Sequence, residues 1–279
     1  MKSLNLYFAS VMALISFVTA RKVYQCTEDK TIALTFDDGP FQYTSQLVDY
    51  LASNDAKATF FTVGKFHFPF AVESPEYQNA MKKAHDNGFQ IASHTFDHKM
   101  YNDTNLLRQT MTNQDNFIEQ VTGDRPKYFR APKGNCEKEC QETIESWGYR
   151  LIQWSVDTYD YEIETSSSPQ IKTEETINIL RAAFAEERDN YLILMHDTEN
   201  ITVSNIVPWI IEESGMKEKG YRFVTVAECL GEKDSMYVSG KTYGGKYITH
   251  NLTSGVKATH KLSIVSYIIA SLVLLLLFF

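Results

Sequence analysis

Ile32-Ala33-Leu34-Thr35-Phe36-Asp37-Asp38-Gly39-Pro40 is an apolar run of β-formers that stops at two carboxylates and a turn. A short run of that kind reads as a fully buried strand, and Gly-Pro directly after it ends the element. The same form returns at Tyr191-Leu192-Ile193-Leu194-Met195, stopped by His196-Asp197. Shorter runs lie at 58–63, 90–93, 128–130, 151–156 and 223–226, with amphipathic stretches at 45–53, 75–87, 104–121, 140–147, 173–187 and 204–219. Strand and helix alternating over this length predict an α/β fold of about seven parallel strands with crossover helices, closed into a barrel or left open.

The stop signals carry chemistry. Asp37, Asp38, His94, Arg130, Asp157 and His196 all fall at or just past the C-terminal end of an expected strand. Parallel α/β folds gather their sites on that face. Asp38, His94 and His98 offer one carboxylate and two imidazoles, a ligand set that leaves positions open on a zinc ion. Asp37 is left over to handle a proton. Four residues of extended strand span about 13 Å, so His94 and His98 can share an ion only if the chain coils directly after Ser93; one helical turn would suffice. The fork of Arg130 can fix a carboxylate in one orientation and favour its charged form. His196 stands where a leaving group could be protonated, and Asp157 could cap the segment that follows it.

The ends of the sequence frame one domain. Residues 1–20 begin with Lys2, run through an apolar core and end in small residues, as a secretory signal does. Residues 262–279 hold no charge and follow a polar stretch with small residues at Thr253-Ser254-Gly255, which fits a lipid-anchor signal better than a retained transmembrane helix. Residues 21–230 form the expected domain, 231–261 a polar stalk, and Ser166-Ser167-Ser168-Pro169 a loop. In the secretory pathway the four cysteines read as two disulfides, with Cys136 and Cys140 closing a local loop and Cys26 left for Cys229. Three Asn-x-Thr sequons, at Asn102, Asn200 and Asn251, suit the same compartment. A net charge of −8 with no basic run argues against nucleic acid and favours a neutral partner.

Taken in order, Thr35-Phe36-Asp37-Asp38-Gly39-Pro40, His94-Thr95-x-x-His98, Arg130-x-Pro132-x-Gly134, Asp157-x-x-Asp160 and Leu194-x-His196-Asp197 resemble the polysaccharide deacetylases of carbohydrate esterase family 4, which include chitin deacetylases. The resemblance covers residues 26–230 and implies a distorted (β/α) barrel. It implies that Asp38, His94 and His98 hold a divalent metal, zinc or cobalt. It implies Asp37 as the base, positioned by Arg130, and His196 as the acid, oriented by Asp157. A backbone N–H at Lys133 would stabilise the oxyanion, Leu194 would line the acetyl pocket, and Tyr161 would offer the sugar an aromatic face. Lys133 stands where the family usually has an aromatic residue, and Tyr161 where it has Trp.

The expected activity is deacetylation of N-acetylglucosamine polymers, cell-wall chitin foremost, by a monomer at the cell surface held to the membrane by its C-terminal anchor. The alternatives are a wall-associated binding or structural protein on the same fold, a deacetylase of another acetylated polysaccharide, and a non-haem iron oxygenase built on the two histidines and one carboxylate.

Overall fold

Thr31–Asp37 (β1) is buried along its whole length and is flanked on both sides by parallel strands, Ala58–Thr62 (β2) and Asn190–His196 (β7). A computed structural model describes residues 22–162 and 168–238 of the protein. The expected leader, the anchor segment, Asn251 and the stalk beyond 238 lie outside the described residues. The remaining strands are Gln90–Ser93 (β3), Tyr128–Phe129 (β4), Arg150–Leu151 (β5), Val156–Asp157 (β6) and Arg222–Phe223 (β8). All pair in parallel in the order β5-β4-β3-β2-β1-β7-β6, with β8 beside the start of β1. The sheet curls into a distorted (β/α) barrel.

Alternation along β1 and β7 divides the molecule into layers. Ile32, Leu34 and Phe36, with Tyr191, Ile193 and Met195, enter the core shared with the helices Thr44–Ser53 (α1), Pro75–Asp86 (α2), Thr104–Thr122 (α3) and Pro169–Ala185 (α5). Each such side chain contributes about 1.5–3 kcal/mol on full burial. Ala33 and Leu192 enter a second, interior cluster with Phe61, Ala92 and Val224. Further along the same inward rows come Thr35 and Asp37 on β1, and Leu194 and His196 on β7. The barrel interior therefore grades from apolar at the strand starts to polar at their ends.

Three expected elements are corrected. The run 151–156 is two strands at opposite edges of the sheet, because the chain crosses from one edge to the other between β5 and β6. Ile152 bridges to Val23, and the Ser155 N–H donates to the Leu192 carbonyl at 2.8 Å. An apolar run has the same composition whether it is one strand or a crossing. The run 223–226 ends as a strand at Phe223, and Thr225 caps the short helix Val226–Cys229 (α6) in a reciprocal box with Glu228. The stretch 204–219 is helical only to Glu213, with wide turns over Thr202–Ile206 and Trp209–Glu213. In the loop expected around Ser168-Pro169, Ser168 caps α5 and Pro169 is its first residue.

Both disulfides form as expected: Cys26–Cys229 joins residues 203 apart, and Cys136–Cys140 closes a turn before and into Lys138–Ser146 (α4). Residues 231–238, expected at the head of the stalk, pack on the domain instead. Glu232 accepts hydrogen bonds from Tyr128 and Arg150, both at 2.8 Å. Tyr237 bridges to Pro126, and its hydroxyl accepts the Ile91 N–H at 3.0 Å. Among the described residues no helix is long and apolar enough to cross a membrane.

Candidate metal centre and catalytic cleft

Adjacent residues on a strand point to opposite faces, so Asp37 and Asp38 could not serve one centre if β1 simply continued. The chain leaves the strand at Asp38, whose φ of 74° lies in the left-handed region that Asp tolerates better than most residues. Gly39 follows because nothing larger fits: a Cβ there would lie 2.2 Å from Asp197 Oδ2. That carboxylate is itself fixed by the Thr44 hydroxyl.

The coil demanded after Ser93 is present, as a bend rather than a helical turn, with φ of 66° at Thr95 and 53° at His98. It brings the two imidazoles to 5.1 Å between ring centroids. His94 Nε2 lies 3.5 Å and His98 Nε2 3.2 Å from Asp38 Oδ1. The other ring nitrogen of His94, Nδ1, meets the Arg130 carbonyl at 2.8 Å, which fixes the tautomer with Nε2 as a free lone pair. Asp97, between the two histidines, turns away to accept hydrogen bonds from Tyr101 and from Thr110 at 2.6 Å, stapling the bend to α3.

The donor set fits a divalent ion. One ligand atom from each of Asp38, His94 and His98 lies within 4.8 Å of the others, and Asp38 Oδ1 is buried with no hydrogen-bond partner. Burial holds both imidazoles neutral, His98 at about 3 and His94 below its ordinary value, as ligation requires. Burial also raises the Asp38 carboxyl to about 7, aided by the charges of Asp37, Asp197 and Asp160 and opposed by His196. A cation among these three atoms would reverse that balance.

Arg130 is wholly buried, and both of its terminal nitrogens are used. Its Nη1 donates to Asp37 Oδ1 at 2.7 Å and to Thr35 Oγ1 at 2.8 Å, its Nη2 donates to the Gln153 carbonyl at 2.8 Å, and its guanidinium lies 4.2 Å from the centroid of the Phe61 ring. Asp37 is thereby held with Oδ2 3.6 Å from His94 Nε2.

The expected partnership of His196 with Asp157 is corrected. His196 Nδ1 bonds Asp160 Oδ1 at 2.8 Å, while Asp160 Oδ2 accepts the His196 backbone N–H at 2.8 Å and the Thr202 hydroxyl at 2.6 Å. Asp157 ends β6 and accepts the Tyr159 N–H at 3.0 Å, and the left-handed φ of 53° at Tyr159 swings the next residue back beneath the imidazole. Asp157 still favours the Arg130 cation through its charge. Burial pushes His196 down, but the charge and hydrogen bond of Asp160, with the charges of Asp38 and Asp37, outweigh it and raise the imidazole to about 10.

Asp37, the three-residue cluster and His196 share one cavity of about 330 Å³. Asp37, Asp38, His94, His98 and His196 line its polar part, and Lys133, Leu194, Trp154 and Tyr161 line the rest with Gly134. Lys133 has a left-handed φ of 57°, and the Tyr161 ring meets His196 edge-on at 5.0 Å. Sequence reasoning missed Asp160, Trp154 and the fixing groups Thr35 and Gln153. Asp160 was already visible as the second carboxylate of Asp157-x-x-Asp160. Trp154 was hidden inside a run assigned to one strand.

A family model for polysaccharide deacetylases matches residues 24–152. The chain is 34% identical over 228 residues to a chitin deacetylase of Colletotrichum lindemuthianum, covering 80% of this chain and 89% of that one. It is 34% identical over 213 residues to a chitin deacetylase of Arthroderma benhamiae, covering 75% of this chain and 54% of the relative, so it spans about half of that protein's length. The solved structure of the Colletotrichum lindemuthianum chitin deacetylase superposes with a TM-score of 0.73 at 30% identity, covering 81% of this chain and 99% of that one.

Proposed function

The chain belongs to the polysaccharide deacetylase family, and from that premise we propose that it removes acetyl groups from N-acetylglucosamine polymers, chitin foremost, releasing acetate and leaving free amines. One observation carries this: a carboxylate held by arginine (Asp37–Arg130) and an imidazole held by carboxylate (His196–Asp160) line the same cavity as a three-ligand cluster.

Asp38, His94 and His98 would hold the divalent ion, zinc or cobalt. When bound, such an ion acidifies a water and polarises an acetamide carbonyl. Arg130 aims the Asp37 carboxylate, and Asp37 takes the proton of the attacking water. His196, protonated through its contact with Asp160, gives a proton to the departing amine. The Lys133 backbone N–H serves the developing oxyanion. Leu194 borders the acetyl methyl, and Tyr161 and Trp154 give the sugar apolar walls. The reaction consumes one water and one amide and yields one carboxylate and one ammonium group.

The two disulfides support folding in an oxidising compartment. With the leader and anchor read from the sequence, we place the protein at the cell surface or in the wall. The non-catalytic alternative finds no missing group among those described, and an iron oxygenase would have no use for the two proton-handling pairs.

Metal-loaded protein should release acetate from chitooligosaccharides, and Asp37→Asn should lower the rate by about 10²–10⁴-fold with an unchanged circular dichroism spectrum. Undiminished release would remove Asp37 as base. Absence of release from chitooligosaccharides, peptidoglycan and acetylxylan alike would sink the proposal.

A further inference from the structure

The sequon Asn200-Ile201-Thr202 divides once the chain is folded. Asn200 is exposed, and its Oδ1 accepts the Ser204 hydroxyl at 2.7 Å. Thr202 is wholly buried, with Ile201 and Val203 buried on either side of it. A threonine in a helical turn commonly returns its hydroxyl to a carbonyl one turn back. Here the hydroxyl donates instead to Asp160 Oδ2 at 2.6 Å, across 42 residues of sequence. The backbone is shaped for it: Thr202–Ile206 is wound wider than an α-helix, with the Val207 N–H placed as its closing cap on the Thr202 carbonyl. Such widened turns are rare and recur at functional sites.

Asp160 has use for a hold from outside. Three donors meet its carboxylate among the described residues, and two of them, the backbone N–H and Nδ1, belong to His196. The terminal torsion of an aspartate has a broad preference, so what its oxygens meet decides the plane of the carboxylate. Thr202 supplies the one bond from a separate element, and it falls on the oxygen that does not hold the imidazole. The main chain beside Asp160 is fixed independently, since the Thr158 hydroxyl donates to the Leu194 carbonyl at 2.8 Å. Asp160 and Thr202 are both 0% exposed, so bulk water cannot replace a donor that is lost.

We propose that Thr202 is a positioning residue of the proton-donating pair: its hydroxyl fixes the plane of the Asp160 carboxylate, keeping Oδ1 on His196 Nδ1 and the imidazole turned to the cavity. The threonine that reads as part of a glycosylation signal thus serves the acid. The effect on rate rests on the deacetylase reading, whereas the effect on the His196–Asp160 contact does not.

Zinc-loaded Thr202→Val keeps the shape of the side chain and removes the hydroxyl. It should lower kcat for chitopentaose by about tenfold, the scale of a lost bond to a charged group, with KM unchanged. Thr202→Ser should restore kcat. Asn200→Gln, which abolishes the sequon and keeps the hydroxyl, should leave kcat within about twofold. In an Asp160→Asn background Thr202→Val should cost less than about twofold, because the carboxylate it positions is gone. Equal losses in the two backgrounds, failure of serine to rescue, or an equal loss in Asn200→Gln would overturn the proposal. Should Thr202→Val fail to fold, Thr202→Ala carries the same comparisons.

A wild-type protein that releases no acetate would defeat the proposed function, and proton NMR of the zinc-loaded protein then decides the positioning role. The Nδ1–H of His196 should give the downfield resonance of an imidazole bonded to a carboxylate in wild type and in Thr202→Ser, and Thr202→Val should lose it. A resonance kept by Thr202→Val, or absent from wild type, ends the proposal.

Discussion

The two ends of the barrel are made of the same strands and opposite materials. Towards the strand starts, Ala33, Leu192 and Val224 pack with Cys26 and Cys229 in an apolar plug closed by the longer disulfide. At the strand ends the interior rows turn polar, and the backbone departs from ordinary geometry. Five of the eight non-glycine residues with left-handed φ among those described, Asp38, Thr95, His98, Lys133 and Tyr159, lie in the loops around the cleft. Such conformations cost of order 1–3 kcal/mol each and persist only where surrounding structure enforces them. The closed end supplies rigidity that the open end uses to hold buried charges in costly positions.

That contrast can be broken at either end. The largest effect belongs to the open end: Asp160→Asn should lower acetate release by about 10²–10³-fold while leaving the melting temperature within a few degrees. Because Asp160 holds the His196 proton, the alkaline limb of the rate profile should also move to lower pH. Asp157→Asn should cost much less, and equal losses in the two variants would restore Asp157 as the partner of His196. At the closed end, replacing Cys26 and Cys229 together by Ala should destabilise the fold by about 2–4 kcal/mol in denaturant unfolding, with acetate release per folded molecule within twofold. A matching loss of activity would show that the two ends are not separable.

The smallest effect sharpens the comparison at the metal centre. In metal-free protein the Asp38 carboxyl is raised from 3.8 to about 7, so the folded state keeps a proton that the unfolded chain gives up across that window. Its contribution to stability is therefore greatest near pH 4 and declines as pH rises towards 7. A divalent ion removes that decline, so the gain in melting temperature on adding zinc should be a few degrees larger at pH 7.5 than at pH 5. A gain independent of pH would mean that Asp38 is not a ligand.

The strands bearing Asp37, His94 and His196 were legible because each is a buried run with an abrupt polar stop, a pattern that composition alone exposes. The cluster of Asp38, His94 and His98 was legible by residue type and spacing. What escaped was what backbone direction decides. Nothing in Asp157-x-x-Asp160 says which carboxylate turns under His196 until the left-handed Tyr159 is seen. Residues 151–156 look like one strand until they are found to leave one sheet edge and enter the other. Trp154, exposed to the cavity by that crossing, has no periodic signal.

Tyr237 pins the last described residues to the starts of β3 and β4. The chain therefore departs at Val238 from the pole opposite the cleft. Fraying of that chain end would meet Tyr237 and Pro126 at the plugged pole before it reached the loops around the cleft.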